Sequence, residues 1–283
     1  MKRTFLYISI LHLLSLIIFS SCEDRGPDYI SEDMPLVVEG WIENGEAPVV
    51  IVSHAINLND TLSSIDESVE KWCRVSVFDG EQRYVLSGKI DRNYTPPFIY
   101  TSSSLKGEIG HTYRLLVETD DETAESYGTI TIPPSIEKII PGKISDTDSL
   151  YQLRVFLKDI DSTCYYKIFC RSKESDNRYY SAFLGTFPGR DYMPDEGCIV
   201  SKGLHATYND NEFTHFFRSG DIVFVKICTV SREVFDFWNI YDSNVSLSDN
   251  LFFTFSENCP SNVEGALGYW GTYGASTSAV RIP

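Results

Sequence analysis

From residue 35 onward the chain is interrupted too often for long helices. Apolar and polar residues alternate in short runs, and the runs end on Gly, Pro, Asn or Asp. A period of two sends successive side chains to opposite faces of a strand. Leu36-Val37-Val38-Glu39-Gly40-Trp41-Ile42 reads as a strand, Glu43-Asn44-Gly45-Glu46 as an Asn-Gly turn, and Val49 to His54 as the returning arm. A polar stretch from Asn57 to Glu70 reads as a long loop. Cys73 to Phe78 alternates around Val75 and Val77, and Asp79-Gly80 turns it into Arg83 to Leu86. Gly110 to Glu118, with Tyr113, Leu115 and Val117 on one face, pairs across Asp120-Asp121-Glu122 with Tyr127 to Ile132, and Pro133-Pro134 stops that hairpin.

The second half opens with Leu153 to Leu157 and Tyr165 to Phe169, and further strands are predicted at Tyr179 to Phe183, His215 to Phe217 and Ile222 to Thr229. One helix is predicted, from Ser231 to Tyr241. Ser231 suits its cap and Glu233 its positive end, while Val234, Phe237, Trp238 and Tyr241 recur at helical spacing. This aromatic stripe reads as core rather than as a ligand platform. Glu264 to Gly271 suits a glycine-rich strand packed closely on its neighbours. The pattern predicts an all-β fold. An immunoglobulin-like or transthyretin-like β-sandwich spans 35–133, and a second β-rich domain with one short helix spans 134–283.

The first 21 residues read as a leader. Lys2 and Arg3 precede an apolar run from Thr4 to Phe19, which stops short of the ~20 residues a membrane-spanning helix needs. Ser20 and Ser21 then lead to Cys22, the placement of a lipoprotein signal in which the thiol takes up a diacylglycerol. An ordinary signal peptide with an incidental Cys22 is the competing reading. Residues 22–34 read as a polar tether. The formal charge of the whole chain is −16, and loss of Lys2 and Arg3 with the leader makes it more negative. Phosphate backbones repel such a chain, so a nucleic-acid partner is not expected. Its contact with membrane is expected through lipid alone.

Catalytic signatures are sparse. The mature histidines His54, His111, His205 and His215 show no metal-ligand spacing, and no metal or cofactor is expected. No nucleophile elbow, P-loop or dinucleotide fingerprint is present. Asp159-Ile160-Asp161-Ser162 offers oxygen ligands without a complete calcium loop. Asp120, Asp121 and Glu122 read as a hydrated turn. Six cysteines follow Cys22, spaced so that either disulfides or buried free thiols would account for them. Cys164 and Cys170 on one strand would sit ~20 Å apart, too far to bond each other.

Aromatic residues give the better lead. Tyr94, Phe98 and Tyr100 surround Pro96-Pro97 in a predicted loop, and Phe187 and Tyr192 lie in the segment 186–197. Exposed rings beside Pro and Gly form binding faces, whereas rings that seal loop bases belong to the core. If a ligand is bound, Phe187 and Tyr192 are the first choice.

Three motifs carry a resemblance. Leu36 to Gly45 resembles the opening motif of the Bacteroidota lipoproteins grouped as domain of unknown function 4249. Gly110-His111-Thr112-Tyr113-Arg114-Leu115 resembles their central strand, and Asn262 to Gly271 their closing glycine-rich motif. The resemblance implies an outer-membrane lipoprotein, often encoded near TonB-dependent transporters, and it supplies no catalytic residues. Cys22-Glu23-Asp24 resembles the acidic signal that directs such lipoproteins to the cell surface, although Arg25 interrupts the acidic run. The expected function is therefore a non-enzymatic, surface-tethered accessory that binds a nutrient or docks on a TonB-dependent transporter. A cell-surface adhesin or structural subunit, and a hydrolase with an unrecognised site, are the alternatives.

Overall fold

The computed structural model describes residues 34–56, 68–145, 149–203, 214–248 and 258–283. The leader, Cys22, most of the tether and His205 lie outside the described residues. In chain order the first strands are β1 (Leu36–Glu43), β2 (Val49–His54), β3 (Arg74–Asp79), β4 (Gln82–Val85), β5 (Ser87–Ile90), β6 (Phe98–Thr101), β7 (Thr112–Glu118) and β8 (Thr123–Thr129). There follow β9 (Ser135–Lys143), β10 (Leu150–Lys158), β11 (Tyr165–Ser172), β12 (Tyr180–Pro188), β13 (Cys198–Val200), β14 (Phe217–Arg218) and β15 (Ile222–Val230). Helix α1 (Arg232–Ser248) and the final strand β16 (Leu267–Arg281) complete the chain. The all-β class expected from the alternation is what the protein adopts.

One eight-stranded sheet runs β12-β11-β15-β16-β1-β2-β6-β5. A second sheet, β4-β3-β7-β8, covers its β1 half. A third, β13-β10-β14 with β9 alongside β10, belongs to the β15 half. Two cores fill these sandwiches. The first holds Leu36, Val38, Ile42, Val75, Val77, Tyr113, Leu115 and Val117, with Trp270 contributed by the final strand. The second gathers Leu153, Val155, Tyr166, Ile168, Val223, Val225 and Ile227. Most of the first core comes from residues before 133, with Val263 and Trp270 added from the end of the chain. The large sheet is continuous, because β16 pairs in parallel with β1 and antiparallel with β15, and residues 35–283 form one compact unit.

The long strand β16 passes unusually close to its neighbours, and glycine makes this possible. Gly268 has φ +107°, and a Cβ there would lie 2.1 Å from the Val38 carbonyl oxygen. A Cβ on Gly274 would lie 1.8 Å from the Thr131 carbonyl oxygen. A side chain at either position would force β16 away from the backbone it packs on.

Period-two alternation gives the large sheet two distinct faces. On β1, Leu36, Val38 and Ile42 enter the first core, while Val37, Glu39, Trp41 and Glu43 face the other way. On β11 the second core takes Tyr166, Ile168 and Cys170, and Lys167, Phe169 and Arg171 lie opposite. Helix α1 covers part of that opposite face. Ser231 caps it as expected, accepting the Val234 N–H at 3.3 Å. Val234 and Trp238 bury against Phe169, Cys228, Tyr269 and Tyr273. Val234 and Trp238 of the aromatic stripe are buried as the spacing suggested, but Phe237, Trp238 and Tyr241 also face a cavity, which the expectation of plain core did not include.

A buried ion pair fixes the helix. Lys167 Nζ lies 2.9 and 2.8 Å from the two carboxylate oxygens of Asp242, and it donates to Thr186 Oγ1 at 3.0 Å. Thr186 Oγ1 donates to Asp242 at 2.6 Å and Ser181 Oγ at 3.2 Å, so the carboxylate is fully engaged. The ammonium also lies 4.8 Å from the Trp238 ring centroid. Burial pushes the Lys167 pKa down, and the Asp242 charge opposes that shift.

Several elements differ from the sequence reading. Phe98 and Tyr100 belong to strand β6 rather than to a loop, and Tyr100 is buried with its hydroxyl donating to the Glu70 carbonyl oxygen at 2.9 Å. Strands β9 and β13 had no clear signal, and β16 continues ten residues past Gly271. The six described cysteines after Cys22 are free thiols. Burial holds Cys170 and Cys198 at about 12 and Cys228 higher still, so all three remain protonated.

Because each partner of the Lys167–Asp242 pair would be left as a lone buried charge, single replacements are costly. Lys167→Met or Asp242→Asn is expected to lower unfolding free energy by about 3–5 kcal/mol in urea titrations, and the Lys167→Met/Asp242→Leu double variant to recover most of that loss.

Candidate functional site

Helix α1 leaves part of the sheet's outer face bare, and this bare area is the floor of a cavity of about 1030 Å³. Glu39, Trp41 and Glu43 of β1 supply the floor with Tyr269 and Tyr273 of β16. Trp238 and Tyr241 on α1 form one wall. Tyr94 and Thr95, in the connection between β5 and β6, form another. Arg178 and Tyr179, from the connection between β11 and β12, close the rim. The volume lies at the upper end of the ~300–1,000 Å³ of small-ligand sites, and the lining has their mixture of apolar rings and a few polar groups.

The charged groups are held in defined places. Lys226 Nζ donates to both carboxylate oxygens of Glu43, at 2.6 and 2.7 Å, and lies 4.3 Å from the Tyr179 ring centroid. That pair spans β16, since Glu43 lies on β1 and Lys226 on β15. Arg178 stacks over Tyr94 at 4.7 Å and over Tyr180 at 4.9 Å. Arg171 lies 4.6 Å from the Phe224 ring centroid and 5.5 Å from that of Tyr179. The Nε atoms of Arg171 and Arg178 are buried without a hydrogen-bond partner. A buried donor left unpaired is costly, so both positions call for an acceptor.

Glu39 is the acid that feels the Arg178 charge. Tyr269 donates its hydroxyl to Glu39 at 3.3 Å. Burial raises the Glu39 carboxyl above its ordinary range, with the Arg178 charge and the Tyr269 hydrogen bond acting against that rise. The Tyr269 and Tyr273 hydroxyls are pushed well above their ordinary range by burial and stay protonated. Tyr273 in turn accepts the Trp238 indole N–H at 3.1 Å. Trp41 and Tyr94 have ring centroids 6.1 Å apart with their planes tilted by 40°, and Arg178 rests on the Tyr94 ring.

Phe187 and Tyr192, the first choice from sequence, lie elsewhere. Phe187 stacks on Tyr166 at 5.4 Å and lies 6.4 Å from Tyr192, packed against the second core. The Tyr192 hydroxyl donates to the Leu157 carbonyl oxygen at 3.1 Å and accepts the Leu157 N–H at 2.7 Å. Both rings seal a loop base against the sandwich. Tyr94, also singled out from sequence, does line the cavity. Cys22 lies outside the described residues.

The remaining candidates are engaged locally. His111 Nδ1 lies 3.0 Å from the Asp79 carboxylate, which raises its pKa, and His215 Nδ1 donates to the Lys202 carbonyl oxygen at 2.7 Å. Asp161 Oδ1 accepts the Thr163 N–H and hydroxyl, which lowers its carboxyl pKa. Asp120 to Glu122 form the β7–β8 turn, where Thr119 Oγ1 accepts the Glu122 N–H at 2.8 Å. Among the described residues, no cluster of three or more His, Cys, Asp or Glu is placed to hold a metal ion.

The cavity residues escaped the sequence reading because they come from strands far apart in the chain. One local signal existed. Glu39, Trp41 and Glu43 occupy alternate positions of a strand whose intervening residues are apolar or glycine. An aromatic ring between two acids on one strand face marks a surface that is neither core nor plain solvent.

Comparison with known proteins adds a family. The model of a family described as a domain of unknown function (DUF4249) matches residues 25–279. No curated protein matches the chain. Among solved structures, one titled "Crystal structure of bovine butyrophilin" aligns at 9% identity over 88% of this chain and 99% of that chain, with a TM-score of 0.19. That likeness is too slight to bear on fold or function.

The raised Glu39 carboxyl has a pH signature. It binds its proton more tightly in the folded state, so its contribution to stability is full below the ordinary value of 4.5 and is lost as pH rises through the raised one. Glu39→Gln is therefore expected to raise the melting temperature at pH 7, with the gain vanishing near pH 4 in paired thermal melts.

Proposed function

The chain belongs to the DUF4249 family, and we propose that it is a non-enzymatic, lipid-anchored outer-membrane protein that holds a nutrient for a TonB-dependent transporter. Cys22 would carry the lipid, and Glu23-Asp24 would favour the outer surface of a Bacteroidota-type envelope. The observation that carries the reading is the large aromatic-walled cavity with two ring-stacked arginines in its lining. Its lining suits retention of a ligand. The Glu43–Lys226 pair holds its two charges against each other, and Arg171 and Arg178 rest on aromatic faces.

A binding protein of this kind gains from a rigid site, because little ordering then opposes association. The cavity floor is a hydrogen-bonded sheet and one wall is a helix fixed by a buried ion pair, so most of the site is set before a ligand arrives.

The test is made in the native host with the full tagged chain. Cys22→Ala is expected to move the protein from the membrane to the soluble fraction. Purification in mild detergent is expected to recover a β-barrel transporter identified by mass spectrometry. Wild-type protein that stays soluble rules out the anchor, and recovery of no transporter rules out docking.

A further inference from the structure

The chemistry of the cavity edge narrows the ligand class, on the premise that the cavity is the ligand site. We propose that it takes an acidic carbohydrate, an oligosaccharide bearing uronic-acid carboxylates, with a sugar ring against Trp41 and Tyr94 and a carboxylate against Arg178.

Three observations support this assignment. The first concerns the guanidinium groups. Arg178 is stacked on Tyr94, beside Trp41, and its Nε is buried without an acceptor; Arg171 repeats the arrangement on Phe224 and Tyr179. Stacking fixes the plane of a guanidinium, and since Nε is covered by protein it is the two terminal nitrogens that remain to meet a ligand. A planar carboxylate matches that pair with two parallel charge-assisted hydrogen bonds. A neutral hydroxyl satisfies one donor at a time.

The second observation is the floor. Its strand β1 is hydrogen-bonded on both sides, by β2 and by β16. Backbone groups there are engaged in the ladder, so an extended peptide finds no strand edge to pair with. A sugar needs none, since its ring face packs on aromatic side chains and its hydroxyls bond polar ones. Glu39, with Tyr269 as its hydroxyl partner, is placed to accept such hydroxyls.

The third is the local charge balance. The protein as a whole is strongly acidic, with a formal charge of −16. The cavity lining sets three acids, Glu39, Glu43 and Glu46, against three bases, Arg171, Arg178 and Lys226. Glu43 is held by Lys226, and burial shifts the Glu39 carboxyl toward its neutral form. The lining is thus less negative than the molecule around it, and an anion meets less repulsion there than on the rest of the surface.

The experiment titrates the full chain in mild detergent and reads tryptophan fluorescence, confirmed by calorimetry. The probes are short oligogalacturonates, oligoalginates and hyaluronan fragments, the methyl esters of the galacturonates, a neutral glucan of equal length, and a hexaglutamate peptide. At least one uronate series is expected to bind at least about tenfold more tightly than its ester or the glucan. Arg178→Gln should weaken acid binding more than ester binding and so remove that preference, and Arg178→Lys should restore it only in part. Trp41→Ala should weaken acid and ester alike. Circular dichroism melts establish that each variant is folded.

Equal binding of ester and acid, indifferent to Arg178→Gln, overturns the acidic assignment and leaves the cavity as a neutral-sugar site. Binding of hexaglutamate in preference to every sugar overturns the carbohydrate class. Binding of no probe overturns the proposal, and transporter recovery in the native host then decides separately whether the accessory role stands.

Discussion

Everything in this protein depends on the last strand. β16 runs parallel to β1 over its first half and antiparallel to β15 over its second, so one continuous strand joins the sheets of two sandwiches. The sheet that results has a single parity. Residues that enter the two cores lie on one face, and every residue one position out of step lies on the other. A slip of one residue in β16 would exchange Trp270, a member of the first core, with Tyr269 and Gly271 on the outer face. Gly268 and Gly274 hold the register by closeness, because no residue with a Cβ fits against the Val38 and Thr131 carbonyls.

That parity also produces the groove. The outer face is wider than α1 can cover, and Lys167–Asp242 fixes the helix over the β11 side of the sheet. A buried ion pair is weak evidence for net stability, since desolvation cancels much of the attraction. Its value here is positional. Thr186, Ser181 and Trp238 all converge on it, so the helix has one seat. Among the described residues the β1 side stays open, and Tyr94 and Arg178 line it together with the helix.

Much of this was legible in the alternation. The β1–β2 hairpin could be read because Asn44-Gly45 separates two runs whose odd and even residues differ sharply. The β7–β8 hairpin could be read because Tyr113, Leu115 and Val117 keep step, and all three are fully buried. Helix α1 was visible in its cap and spacing, although it runs on to Ser248. Strand β6 was hidden by Pro96-Pro97, which reads as loop and in fact ends just before Phe98. The second half of β16 was hidden for a different reason. Residues 274–279, Gly-Ala-Ser-Thr-Ser-Ala, have no large apolar side chain, and they form a strand because β15 supplies a complete ladder of partners.

The site was less legible than the fold, and the cause is physical. A core residue announces itself by period, since burial selects apolar side chains at every second position. A groove on a sheet face collects one or two residues from each of several strands, and their order in the sheet is not their order in the chain. Glu43, Lys226 and the neighbouring Arg171 and Arg178 come from three separate stretches of the chain, and no spacing connects these stretches. What remains visible is the exception to the rule. Lys226 sits inside Val223-Phe224-Val225-Lys226-Ile227-Cys228, and Lys167 sits inside Tyr165-Tyr166-Lys167-Ile168-Phe169. A lysine in the middle of an otherwise apolar strand must have a buried partner or reach water. Each has an acid, Glu43 for one and Asp242 for the other, and the two pairs mark the floor of the groove and the seat of the helix that walls it.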